Sequence, residues 1–228
     1  MRGNNKGNKI NKEMTYKDIT INKFNELKEI VNEGGDDLVM QSRLIAAVND
    51  MSEDEVLALP LAKYSELVKT IDFLKEQPDV KPHAPKHIVI NGKKYNVITD
   101  PRKLSAGQYI DFQNLIQMDD PDKYLPNLIA CFVEPEGKNY GEYDVMEVAD
   151  IIGENMSIEE GLALTGFFLL LYHTSIRTTL HFLVRKIRKM EKKEKDPEQK
   201  EKLRIAIQKM EEMEASLKGG LTSFKLSK

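Results

Sequence analysis

Leu162–Val184, LALTGFFLLLYHTSIRTTLHFLV, decides how this chain is read. The 15 residues from Gly161 to Ser175 carry no charge, and Arg177 and His181 follow at once. A helix needs ~20 apolar residues to span a bilayer, so this stretch reads as a buried helix and not a membrane span. Just upstream, Ser157 and Glu160 have the spacing of a capping box, which starts the helix there. Downstream the pattern continues through RKIRKMEKKEK to Asp196-Pro197, where proline stops it. The next run, PEQKEKLRIAIQKMEEMEASL, sets Leu203, Ala206, Met210, Met213 and Leu217 at 3–4 spacing. Leu180, Leu183, Ile187 and Met190 do the same on the incoming side. Such narrow seams belong to coiled-coil packing. The expected element is a charged antiparallel helical hairpin over 185–218, its seam closed on itself or completed by another chain.

Working toward the N-terminus, Val145, Val148, Ile151 and Ile152 predict an amphipathic helix. Tyr124–Val133 (YLPNLIACFV) predicts a buried helix with Pro126 in its first turn. Ser105 and Gln108 form a second capping box ahead of Tyr109, Phe112, Leu115 and Ile116. HIVI and KKYNVI flank Asn91-Gly92, the pair that suits a type I′ turn, and predict a β-hairpin. Two strands alone are marginal, so the hairpin must lie on helices or pair with another chain's edge. Pro78, Pro82 and Pro85 mark residues 78–86 as an extended linker and domain boundary. Before it, residues 15–77 read as a helical module. Gly34-Gly35 end its first helix, and Ser52 and Glu55 cap its third. A stripe of Leu61, Tyr64, Leu67, Val68, Ile71 and Leu74 makes the fourth. The fold class is therefore mainly α with one small β-hairpin. The parts are a basic arm (1–14), the helical module (15–77), the linker (78–86), hairpin plus helical body (87–184), the helical hairpin and a tail (219–228). The arm and tail are too polar to order on their own.

Of 228 residues, 40% are hydrophobic and 31% charged, the balance of a globular chain. The net charge of −3 hides an uneven layout: residues 15–79 and 87–184 are acidic, and residues 185–228 carry +6. A single Cys excludes a disulfide framework and a Cys-rich metal site, and suits a reducing compartment. The N-terminus has no apolar core of the secretory kind.

No catalytic constellation can be named. No Lys-Ser/Thr follows Gly161 or Gly166, so no phosphate loop is present. His173 and His181 are eight residues apart on one helix, ~12 Å at the helical rise and too far for one metal. Cys131 sits in an apolar run and reads as a buried small hydrophobe. Asp119, Asp120 and Asp122 read as a solvated turn. The chain is expected to be no enzyme and to use no cofactor. The residues expected to meet partners are Tyr64, Leu67, Ile71 and Leu74 in the module, and Ile187, Met190, Met210 and Met213 in the hairpin. A basic patch, Arg185, Lys186, Arg188, Lys189, Lys192, Lys193 and Lys195, would meet an acidic face, or nucleic acid phosphates.

Several stretches resemble small assembly proteins of tailed bacteriophages. They are MTYKDITINKFNELKEI (14–30), MSEDEVLALPLAKYSELVKTIDFL (51–74), the Asn-Gly hairpin and LSAGQYIDFQNLI (104–116). The block YLPNLIACFVEPEGKNYGEYDVMEVADIIGENMSIEEGLALTGFFLLL (124–171) is similar to the body of tail assembly chaperone-like proteins of gut phages, crAss-like ones included. The resemblance implies a non-enzymatic protein that keeps a tape-measure protein soluble and helps tail subunits polymerise, acting in the host cytoplasm. The basic arm and charged hairpin go beyond that pattern. They raise two alternatives: a portal, connector or tail component of the virion, or a nucleic-acid-associated protein. Partners expected are thus other phage structural or tape-measure proteins, with a homo-oligomer and nucleic acid as further options and no membrane.

Overall fold

The structure is a computed structural model that describes residues 14–118 and 120–220, and their side chains except those of 122 and 216–220. The arm expected over 1–14 lies outside the described residues except for Met14, as do Asp119 and the tail beyond Gly220. Nine α-helices and three strands follow among the described residues. They are α1 (Ile21–Glu33), α2 (Asp37–Val48), α3 (Glu53–Leu57), α4 (Leu61–Val68), β1 (His87–Ile90), β2 (Lys93–Val97), α5 (Ala106–Ile116), α6 (Leu125–Ala130), β3 (Val133–Pro135), α7 (Val145–Asn155), α8 (Ile158–Glu191) and α9 (Pro197–Gly220). The molecule is mainly α with a small antiparallel sheet. The three capping boxes form as spaced: Ser52–Glu55, Ser105–Gln108 and Ser157–Glu160 each satisfy two backbone N–H groups.

Two stretches depart from the sequence pattern for local reasons. The helix expected to run from Leu61 to Leu74 tightens after Val68 into a 3-10 turn over Lys69–Lys75. Thr70 Oγ1 donates to the Leu67 carbonyl at 2.6 Å, competing for the acceptor that a continuing α-helix would use, and itself accepts from Asn49 Nδ2 at 2.9 Å. The buried helix expected over Tyr124–Val133 stops at Ala130. The chain then turns, and Val133–Pro135 becomes a third strand on β2, with Tyr95 opposite Pro135 and Val97 opposite Val133. The hairpin thereby gains a partner strand within its own chain, in the order β1-β2-β3. Asn91 and Gly92 turn it with φ of 50° and 73°, the positive values such a turn needs.

One core joins the residues on either side of the Pro-rich stretch. Ile21, Leu27, Ile45, Val56 and Ile71 belong to the same cluster as Leu128, Ile152, Ile158 and Phe168. The join is built on two helix N-caps. Thr20 and Ser157 are both extended, as caps are. They lie antiparallel, with Ile21 N–H donating to the Met156 carbonyl (3.1 Å) and Ile158 N–H to the Ile19 carbonyl (2.8 Å). Close approach there needs glycine: a Cβ on Gly161 would stand 2.7 Å from Ile21 Cδ1, and one on Gly153 would overlap the Asn22 amide. The stretch 78–86 is extended, as three prolines dictate, but it lies along α8. His83 N–H donates to the Ala163 carbonyl at 3.0 Å, and Pro82 covers Gly166.

α8 is 34 residues, ~51 Å long at 1.5 Å per residue. Its first half, with Ile158, Leu164 and Phe168, is buried in the body. Its second half leaves the body and pairs with α9. Leu180, Val184 and Ile207 form a small core there, apart from the main cluster. The result is a body that carries a two-helix arm.

Candidate interaction surface

The arm is two-sided. Three ion pairs set the register of its helices: Arg204 with Glu191 (3.0 Å), Arg188 with Glu211, and Arg177 with Glu214 (3.2 Å), whose carboxylate also lies 3.1 Å from His181 Nε2. Glu191 holds the Arg204 guanidinium above its ordinary range through a hydrogen bond. With Leu180, Val184 and Ile207, these residues trace the line along which α8 and α9 face each other. Arg188, Lys192, Arg204, Gln208 and Glu211 line a polar groove of about 400 Å³ on one side of that line.

The other side is apolar. Helical residues advance by about 100° each. That puts Leu183 and Met190 on α8, and Ala206, Met210 and Met213 on α9, about a quarter-turn off the facing line in the same helical sense. Because the helices run antiparallel, equal offsets in one sense emerge on the same side. Met190 and Met213 are more than half exposed, and Leu183, Ala206 and Met210 are half-buried. The seam of 3–4 spacing, expected to close on itself or to be completed by another chain, therefore lies largely beside the α8–α9 interface, not in it. The facing line is held by Leu180, Val184, Ile207 and the ion pairs. Leu217, the last residue of that stripe, has no described side chain.

Where α8 enters the body, the apolar side runs into a cleft of about 200 Å³ between α8, α5 and the turn at Pro101–Lys103. Its walls include Leu104, Tyr109, Phe112, Tyr172, Ile176 and Leu180. Phe112 meets Phe132 and Tyr172 edge-on, with ring centroids 4.9 and 5.3 Å apart, and Phe132 stacks on Phe168 at 4.0 Å. These contacts hold one wall rigid. Tyr172 donates from its phenol to Gln113 Oε1 at 3.1 Å, and burial raises its pKa. Tyr109, 47% exposed, is the open lip.

The two expected groups of contact residues fare differently. Leu67 and Ile71 are buried in the main core, and Leu74 is half-buried against it. Tyr64 is half-buried too, its phenol bonded to Gln41 Oε1 (3.1 Å) and near Ser42 Oγ (3.2 Å). That quartet packs inside the chain, against α2 of the same module, where Tyr64 meets Gln41 and Ser42 and the 3-10 turn lies on α2. Ile187, Met190, Met210 and Met213 lie on the arm, with Ile187 half-buried at the edge of the facing line. All seven cations of the basic patch are exposed. Arg188 pairs across to Glu211; among the described residues Arg185, Lys186, Lys189, Lys192, Lys193 and Lys195 make no ion pair. On the returning helix Glu198 pairs with Lys202, and Glu201 with Arg204. The cleft was not anticipated. Tyr109 and Phe112 signal an apolar face on α5, but nothing in their spacing says that α8 stands opposite.

Other sites are weaker. β1 is a free sheet edge beside a groove of about 320 Å³ that His83, Ile90, Met156 and Leu164 help to line. The groove between α1 and α2 holds Glu26, Glu29, Glu33 and Glu53, but Arg43 pairs with two of them, and Lys23 and Lys123 with the others. Burial pushes the Cys131 thiol up to about 12, with the Asp111 charge adding to it, so the sulfur is a thiol at neutral pH. Among the described residues no group of three His, Cys, Asp or Glu is placed to hold a metal ion, and no helix is long and apolar enough to cross a membrane. No protein-family model, curated protein or solved structure matches this chain.

Proposed function

We propose that this chain is a non-enzymatic assembly protein of the tail-chaperone kind, which binds tail or tape-measure subunits of a bacteriophage before they are incorporated. The observation that carries the reading is the arm. It leaves the body, presents apolar and cationic surface that its own core does not use, and has the methionines that suit adaptable contact. The family part of the proposal rests on the resemblance of residues 14–175. Co-expression with a tape-measure fragment should give a soluble complex, and mass spectrometry of purified particles should find this chain absent. A fixed copy number in particles would replace this reading with that of a virion component.

The exposed cations favour one other reading, contact with nucleic acid through Lys186 to Lys195. It predicts DNA or RNA binding that falls steeply with salt and is lost when those lysines become Gln. No aromatic is interleaved among them to stack on bases, which argues against it.

A further inference from the structure

The apolar side of the arm has a shape and a charge pattern that specify an occupant. It begins in the body cleft at Tyr172 and Ile176 and runs through Leu183 and Met190 on α8, beside Met210 and Met213 on α9. From Tyr172 to Met190 this is ~27 Å of helix, or five turns. Two antiparallel helices make a furrow, and a furrow of that length accepts one more helix. The rim is cationic. Lys186 flanks the strip on α8 and Lys209 flanks it on α9; Lys202, at the start of α9, is paired to Glu198. Lys193, whose N–H bonds the Met190 carbonyl, stands at the far end. No carboxylate lies on this side between Tyr172 and Met190 of α8 or between Lys202 and Met213 of α9. Glu191, Glu211 and Glu214 lie along the facing line, Glu201 and Glu212 are exposed away from the strip on α9, and Glu198 is held by Lys202.

We propose that this furrow docks an amphipathic helix of about five turns from a partner protein, apolar along one stripe and acidic on its flanks. The proposal rests on the assembly reading and adds the site and the chemistry of what it takes. Charge selects among occupants. A second copy's arm would bring lysine against lysine, whereas an acidic helix meets every rim cation with an opposite charge. A lipid surface would also attract lysines, but membrane-seated helices place Trp or Phe in the apolar stripe, and the arm's exposed Phe182 lies beyond Lys186, off the strip of Leu183 and Met190.

The test uses the full chain and three probes. The first is a fluorescein-labelled 18-residue helical peptide with a leucine stripe and glutamate flanks, the second the same stripe with lysine flanks, and the third vesicles of phosphatidylglycerol and phosphatidylcholine. The acidic peptide should bind saturably, and affinity should drop at least tenfold in M190E/M213E and several-fold in K186Q/K209Q. Both variants change exposed residues, and circular dichroism checks that each is folded. K192Q, on the polar side, should bind as the parent does. Equal binding of the lysine-flanked peptide, unchanged affinity in M190E/M213E, or no saturable binding overturns the proposal. So does vesicle binding that the acidic peptide cannot displace, or a dimer that M190E/M213E dissolves. The two readings fail separately. A tape-measure complex that survives M190E/M213E keeps the chaperone and removes the furrow. Peptide binding by a chain found at fixed copy number in particles does the reverse.

Discussion

Replacing Gly161 and Ile21, singly and together, tests whether the N-terminal module and the body share one core. Ile21 is fully buried where α1 meets α8. Truncating it to Ala removes the lost apolar contact and leaves a cavity, at a cost of ~2–5 kcal/mol. Gly161→Ala has two opposed terms. Ala is favoured over Gly within a helix by ~1 kcal/mol. Against that, the new Cβ stands 2.7 Å from Ile21 Cδ1 and 3.1 Å from Cγ1. Overpacking of this sort costs ~1–3 kcal/mol, so the single variant should lose about 1. With Ile21→Ala the blocking atoms are gone, and the nearest remaining neighbour, Leu125 Cδ2, is at an ordinary 3.5 Å. Only the helix term survives, so Gly161→Ala should then stabilise by about 1 kcal/mol. The coupling is about 2 kcal/mol, in the range of residues in direct contact. Urea unfolding followed by far-ultraviolet circular dichroism measures all four proteins; the chain has no Trp to report by fluorescence. Each should unfold in one transition. If Gly161→Ala has the same effect in both backgrounds, or if residues 15–77 melt separately, the shared core is wrong.

Three further outcomes follow from the structure. Ile207→Ala removes part of the arm's small core, so hydrogen exchange should speed up in α9 and the end of α8 while the amides of α6 and α7 keep their protection; loss of protection throughout would show that the arm is not a separate unit. Asp100 has its carboxyl lowered to about 2 by hydrogen bonds from the Arg102 side chain and backbone. A depressed value means that the ionised form holds this turn above the ordinary pKa of 3.8, and that the contribution fades as pH falls from there to about 2. Nuclear magnetic resonance should find that low midpoint, and Arg102→Gln should raise it; an unmoved midpoint removes the pair. Finally, Cys131 should resist iodoacetamide at pH 8 in the folded chain and react readily in urea, since burial keeps it a thiol; equal rates would mean that the core around it opens.

Local signals were legible because they act over one turn or one register. Three Ser-x-x-Glu/Gln boxes start helices where their spacing put them, and Asn91-Gly92 turns a hairpin. The long helix beginning after Ser157 and the reversal near Asp196-Pro197 were legible too, because proline and capping act through the backbone. β3 was not, since three residues after an apolar helix carry no period and become a strand only when β2 lies beside them. Nor was the seam: 3–4 spacing says that Leu183, Met190, Met210 and Met213 share a side, but not what that side faces.

The linear chain alone determined the helical class, where most helices begin and end, and the +6 of residues 185–228. The packing of elements far apart in the chain decided the rest. Three prolines made residues 78–86 extended, but their contacts with α8 turned an apparent spacer into part of one body. In the same way, ion pairs across the arm took the facing line and left an apolar stripe to one side. Spacing names the residues that share a side of a helix; only the neighbour in space decides whether that side is covered or left open.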